Sequence, residues 1–225
     1  MKQYSAHTYE EAVLVIQEVG ILPLAKLIPD HPSLGGITKA EQWHSDTEFD
    51  PWRWRVRFPG DGTAAYGKFL KKKAIFIARD LVPLVYAILG SPRSGQARYE
   101  DGLLSKPACE LLAIIEAQQG IETRSLRAAA GMKAVEKKKE FDQAVIELQG
   151  TMDIAISGVK ARRNEAGEIN GWNSTSYETM PHWMEHTGIE AAAIPIEDVR
   201  ERLHERLSQS SSAEAMAYMG KIFGW

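Results

Sequence analysis

His182-Trp183-Met184-Glu185-His186 places two histidines and a glutamate at H-x-x-E-H spacing. On a helix this spacing can set two imidazoles on a metal ion and a carboxylate beside its bound water. That chemistry also needs a further ligand well downstream, and the 39 residues that follow bring no second motif. The expectation is therefore an exposed helix carrying His and Glu, with no metal and no cofactor. Cys109, the single cysteine, excludes an internal disulfide; no thiolate-stabilising neighbours surround it, so it reads as a buried structural residue. Asp30-His31 and His44-Asp46 are loose acid–imidazole pairs that could line a pocket with Glu41 and Trp43, although a polar loop explains them as well. No nucleophile elbow, P-loop or dinucleotide fingerprint is present.

The other chemistry on offer is phosphate binding. Lys133, Lys137, Lys138 and Lys139 cluster in one segment, Arg124 and Arg127 precede it, and Lys160, Arg162 and Arg163 follow. These could hold a duplex backbone, while the plain alternative is a solvated helix face and an ordinary polar hairpin tip. Lys71–Lys73 carries the same ambiguity earlier in the chain. Any such site must be a local patch, because the formal net charge is −3. Residues 1–90 carry 11 basic against 10 acidic side chains, residues 91–182 carry 12 against 13, and residues 183–225 carry 4 against 7, so no third is a basic tail. The N-terminus lacks an apolar signal core and no apolar run approaches the ~20 residues of a membrane span. A cytoplasmic protein with no membrane partner is expected.

The elements that would position these groups are legible from caps and periodicity. Thr8 and Glu11 form a capping box ahead of a helical face of Ala12, Val13, Val15, Ile16 and Val19 that ends at Gly20. Tyr66, Phe69, Ile75 and Ile77 flank the lysine run as a hairpin, followed by a helix capped by Asp80. The Gly/Ser/Pro content of 91–102 reads as a linker. Ser105 caps a helix through Leu112 and Ile115, Thr123 caps a short one ended by Gly131, and AVEKKKEFDQAVIELQG forms a long one stopped by Gly150. TMDIAISGV and WNSTSYETM then read as strands around a basic, glycine-containing tip. Helix, short helix, long helix and hairpin in this order specify a winged helix, whose recognition element would be KKKEFDQAVIEL. Two tail helices follow, one from Pro195 through Leu207 with Val199, Leu203 and Leu207 as its stripe, one after Ser212 with Met216, Met219 and Phe223. They pack on the body or on a second copy, which would make a homodimer through the C-terminal helices.

DPWRWRVRF, residues 50–58, alternates bulky apolar and basic residues. It reads as a half-buried strand by period two, or as a helix opened by Asp50 at the N-cap and Pro51 at the first helical position. The helix is preferred because PGDG follows so soon, and either conformation puts both Trp52 and Trp54 into packing.

The segments KKKEFDQAVIELQGTMDIAISG and GWNSTSYETMPHWM resemble the AlkZ/YcaQ group of winged-helix DNA glycosylases, and EVGILPLAKLIPDHPSL, DPWRWR and AYGKFLKKKAIFIA resemble its shorter AlkZ-related relatives. The resemblance to the short relatives spans 8–185, and that to the glycosylases about 130–185. The larger family implies excision of alkylated or crosslinked bases by N-glycosidic cleavage, with a Gln-x-Gln motif placing the attacking water. This chain departs from that pattern: Gln118 and Gln119 lack the spacer, and no other glutamines pair.

The reading is an α/β (α+β) protein of tandem winged-helix-like domains with a helical C-terminal tail. Its expected divisions are 1–90, a linker at 91–102, a winged helix at 103–182 and C-terminal helices at 183–225. The leading expectation is a bacterial DNA-binding protein related to AlkZ-type DNA repair, without glycosylase activity. Its DNA-binding residues would be Lys133, Lys137, Lys138, Lys139, Arg124, Arg127, Lys160, Arg162 and Arg163. The alternatives are a protein-interaction module on the same scaffold, and a glycosylase-like hydrolase.

Overall fold

Thr8 opens the first helix, α1 (Tyr9–Val19), through both bonds of a capping box: its Oγ1 accepts from the Glu11 N–H and the Glu11 carboxylate accepts from the Thr8 N–H. Gly20 ends it at φ +76°, where a Cβ would also lie 2.5 Å from the Leu81 side chain, so only glycine fits. The structure, a computed structural model, describes residues 2–160 and 174–225. After α1 the chain runs through β1 (Ile21–Pro23), α2 (Leu34–Ile37), a 3-10 turn (Ala40–Gln42), α3 (Pro51–Gly60), β2 (Ala64–Leu70) and β3 (Lys73–Ala78). The three strands form one antiparallel sheet in the order β1-β3-β2. Lys71 and Lys72, both at positive φ, make the tight turn that joins β2 to β3.

The second half repeats that plan. Here α6 (Lys106–Ala117) follows α4 (Val82–Leu89) and α5 (Gly95–Glu100), and leads to β4 (Ile121–Glu122), α7 (Thr123–Ala129), a 3-10 turn (Val135–Lys137), α8 (Lys138–Gly150), β5 (Ile154–Lys160) and β6 (Ser174–Thr179). The strand order β4-β6-β5 again pairs the first strand with the third. α9 (Met180–His186), α10 (Ile196–Ser208) and α11 (Ala213–Phe223) complete a mixed α/β architecture with C-terminal helices, the fold class expected from the sequence.

The two halves pack reciprocally: α3 lies on both β2 and β5, α8 lies on β2 and β5, and β2 adjoins β5. One core therefore joins Tyr9, Trp54, Phe58, Tyr66 and Phe76 of the first half to Phe141, Leu148 and Tyr177 of the second. Its aromatic rings stack or meet edge-on at centroid distances of 4.7 to 5.2 Å along Tyr9–Phe58–Phe76–Tyr66. A polar contact crosses the same seam. The ladder shifts register between Gly67 and Leu70, and the Lys68 N–H donates to buried Gln149 Oε1 at 2.8 Å.

DPWRWRVRF is the helix α3. Asp50 caps it from a buried position, and its carboxylate accepts from the Trp52, His44 and Asp46 N–H groups, which also fixes the preceding loop. Trp54 and Phe58 are buried one turn apart, but Trp52 is 41% exposed. The expectation that both tryptophans enter the core is thus corrected, because two residues apart on a helix they point in directions about 200° apart. Three other expectations change locally. Asp80 does not cap its helix; Leu81 holds that position, and Asp80 accepts from Arg206 instead. Glu122 rather than Thr123 caps α7. The segment 91–102, linker-like by composition, contains α5, whose Ser94 cap and buried Arg98 tie it down.

The stripes of the tail helices close onto the body of the same chain. Val199, Leu203 and Leu207 are fully buried, α10 packs on α4, and Met219 and Phe223 enter a second core with Trp183. Arg206 fastens α10 by donating to Asp80 and to the Gln17 and Glu18 carbonyls at the C-terminus of α1.

His31 is buried; its Nε2 donates to the Ile21 carbonyl at 2.6 Å, and its Nδ1 has no partner among the described residues. Burial holds its pKa below the ordinary 6.5, against the opposing effect of the Ile21 bond, so it stays neutral in the fold. The unfolded chain binds this proton more readily than the native one. His31 therefore contributes stability that is present above about pH 6.5 and is lost as pH falls below that value. Urea unfolding at pH 7.5 and 5.5 should show a larger acid loss for the wild type than for His31→Leu; equal losses would refute it.

Candidate nucleic-acid interface

Glu122 caps the start of α7. Burial works against its ionisation, but bonds from the Ser174 side chain, the Arg124 N–H and the Ser125 hydroxyl and N–H outweigh it and hold its pKa low. The charged carboxylate sits at the N-terminus of α7, where the helix dipole favours it. Thr123 Oγ1 donates to the Thr175 carbonyl at 2.9 Å, which docks α7 against β6.

Arg127 shapes the corner between α7 and α8. Its guanidinium donates to the Met132, Lys133 and Ala134 carbonyls at 2.9 to 3.3 Å and lies 5.7 Å from the Phe141 ring. The residue thus presents the loop that carries the lysines. Lys133, Lys137, Lys138 and Lys139 are all exposed, and so is Arg124. Lys137 pairs with Glu140 at 2.6 Å and Lys138 with Asp142 at 2.5 Å, whereas Lys133 and Lys139 make no ion pair among the described residues. Exposed pairs of this kind contribute about 0–1 kcal/mol, so both lysines can exchange a carboxylate for a phosphate at small cost. Val135 stands among them, 81% exposed.

Only the start of α8 is presented in this way. Phe141, Ala144, Val145, Leu148 and Gln149 are buried, and Glu147 is engaged near its end by the Ser105 N–H and hydroxyl. β5 ends at Lys160, which pairs with Ser174 of β6. Arg162 and Arg163 lie outside the described residues. Arg127 is thus tied to the loop that carries Lys133, Lys137–Lys139 follow at the start of α8, and Arg124 lies at the start of α7.

A second group of basic residues lies on α3, where Arg53 pairs with Asp46 and Arg57 with Glu10 and Asp61. Arg55 stacks over the exposed Trp52 at 3.6 Å, and the His44 ring packs on Trp52 at 4.9 Å. Its signal was the arginine interleaving itself, masked by the assumption that both tryptophans are buried. The Lys71–Lys73 run sits at the β2–β3 turn, the corresponding place in the first half.

The remaining sequence candidates separate. Cys109 is only partly buried, and burial together with the Glu110 and Glu116 carboxylates pushes its thiol above the ordinary range, the reverse of an activated nucleophile. His31 is a buried structural group and His44 a loop residue at φ +60°. Gln119 is engaged structurally: its Oε1 accepts from the Thr179 N–H at 2.9 Å and its Nε2 donates to Thr179 Oγ1 at 3.1 Å. His182 and His186 lie together on α9, both facing Glu178 of β6 rather than Glu185.

A family model described as AlkZ related matches residues 6–224. No curated protein and no solved structure matches the chain. Among the described residues, no helix is long and apolar enough to cross a membrane.

Proposed function

The chain belongs to the AlkZ-related family, and from that premise we propose that it is a DNA-binding protein allied to AlkZ-type DNA repair, without a base-excision step of its own. The observation that carries the reading is the set of exposed lysines at the start of α8, in a half whose order of helix, strand, helix, helix and hairpin matches the one expected of a winged helix. In that scaffold the third helix enters the major groove by its N-terminal residues, which here are Lys137–Lys139. Lys133 and Arg124 would take flanking phosphates, and Lys160, with Arg162 and Arg163 after it in the sequence, would take the adjacent backbone. Arg127 would act by shaping the loop. The first half, with the same strand order and lysines at its hairpin turn, would be a second winged-helix-like unit. Two tandem units, joined through 91–102 and fused by one core, would then form the body that the C-terminal helices brace. A homodimer through those helices would use their outer side, where Trp225 and His204 lie, because the apolar stripes are already covered.

The absence of catalysis is supported by the glutamines. The Gln-x-Gln pattern is missing, and Gln119 is held by Thr179. The experiment is a salt series of duplex binding, run beside an assay for abasic sites on alkylated duplex. Affinity should fall steeply with log salt, and no abasic sites should form. Salt-independent binding, or none at low salt, would sink the DNA reading. Excision that tracks the protein would overturn its non-catalytic part.

A further inference from the structure

Glu178, His182 and His186 recur every four residues, across the junction of β6 and α9. Glu178 Oε2 lies 2.8 Å from His182 Nδ1 and 3.1 Å from His186 Nδ1, and the three donor atoms fall within 4.8 Å of one another. We infer that these three side chains form a binding site for one divalent transition-metal ion of the zinc class.

The donor set selects the ion. Two imidazole nitrogens suit zinc and its neighbours in the first transition row, whereas magnesium and calcium take oxygen ligands. Metal bonds of about 2.0–2.2 Å at tetrahedral angles place donors roughly 3.3–3.6 Å apart, so the trio opens around an ion by side-chain rotations that also release His186 Nδ1 from the His182 carbonyl, 3.1 Å away. One carboxylate and two neutral imidazoles leave the bound ion with a net positive charge. At least one coordination position then remains open to water or an anionic ligand.

The ligands stand on a braced frame. Thr179 caps α9, its Oγ1 accepting from the His182 N–H. Trp183, between the two histidines, is fully buried and donates from Nε1 to the Pro59 carbonyl at 2.9 Å, while Met184 is buried beside it. Arg79 donates to the Thr187 and Gly188 carbonyls just beyond the helix. Glu178 is held in β6 opposite Ala155, with its side chain only 14% exposed, while the two imidazoles are 42% and 43% exposed and reachable from solvent. Glu185, the carboxylate of the H-x-x-E-H pattern, is outside the trio and lines a shallow cavity with Tyr86, Pro181 and Ile189. The arrangement therefore serves metal binding and the locking of α9 to β6, and it places no carboxylate as a base beside a metal-bound water. H-x-x-E-H chemistry takes its third ligand downstream, whereas here the candidate third ligand lies four residues upstream of His182.

The site is at the opposite end of β6 from Ser174, where the strand leaves the hairpin tip, so it stands or falls independently of DNA binding. The test is equilibrium dialysis of the full chain, stripped with chelator, against Zn2+, with Co2+ absorption as a report of the donor set. One ion per chain in the micromolar range is expected, together with a rise in Tm. His182→Gln/His186→Gln should abolish it, and Glu178→Gln should weaken it by about 100-fold or more, beyond the cost of losing an outer-shell partner. His7→Gln/His204→Gln should bind as the wild type does. Circular dichroism would confirm that each variant is folded, as the exposure of both imidazoles predicts. Absence of saturable binding, or unchanged binding in either ligand variant, would overturn the site.

Discussion

Reversal of Lys137, Lys138 and Lys139 to Glu is expected to lower duplex affinity by at least about 100-fold near 50 mM salt, at about 1 kcal/mol for each lost phosphate contact. The slope of log affinity against log salt should flatten by roughly 0.9 for every lysine that neutralised a phosphate. The effect should exceed that of a comparable reversal at Lys71–Lys73, because the α8 lysines follow the loop whose carbonyls Arg127 holds and open the proposed recognition helix. Folding should be spared, since all three side chains are exposed and their two ion pairs are surface pairs. Substitution by Gln, which removes charge without adding repulsion to Glu136 and Glu140, should give the same order of effect at smaller size. Wild-type affinity and slope in both variants would leave the corner a solvated face and favour an assembly role for this scaffold.

The largest stability effect is expected at Arg98. Its guanidinium, 4% exposed overall, pairs with Asp153 at 2.6 Å, and the other Asp153 oxygen accepts from Thr151 Oγ1 at 2.5 Å. Arg98 Nε has no partner among the described residues, so the ion pair is buried but incompletely satisfied. Asp153 also fixes the start of the second sheet's hairpin: its carbonyl accepts from the Met180 N–H at the entrance to α9. Arg98→Ala leaves a carboxylate in a dry site and should cost about 3–5 kcal/mol, a large share of the 5–15 kcal/mol that a folded domain commands. That loss corresponds to a drop of about 10 °C in Tm for a chain of this size. Arg98→Met combined with Asp153→Leu should recover most of it, because two apolar groups of similar volume replace the charges together. A change below about 0.5 kcal/mol in Arg98→Ala would show that water reaches the pair and that α5 is not held by it.

Much of the element order was legible because it rests on local signals. The capping box at Thr8, Ser105 at the start of α6, Ser212 at the start of α11 and the alternation in β5 and β6 are all determined within a few residues. The misplaced caps at Asp80 and Thr123 failed for a tertiary reason. Asp80 is drawn to Arg206, 126 residues away, and Glu122 is kept charged by Ser174 as well as by its own helix. Arg98 was hidden in a segment whose composition resembles a linker, since a buried partner 55 residues on leaves no periodic trace.

The same division runs through the functional residues. Sequence alone determined that any phosphate-binding site must be a patch and put forward Lys137–Lys139 as its proposed core, and it resembles the AlkZ-related family to which the chain belongs. Those conclusions follow from charge balance and short-range pattern, which need no partner in space. Only the tertiary structure decided which cations are presented and which are spent on the fold, because that depends on what packs around each one. It turned Arg127 onto three carbonyls, exposed Trp52 beneath Arg55 while burying Trp54, and drew both histidines of H-x-x-E-H toward Glu178. A helix start after a strand sets the direction of its side chains by how the two elements meet, and that angle is a property of the packed core.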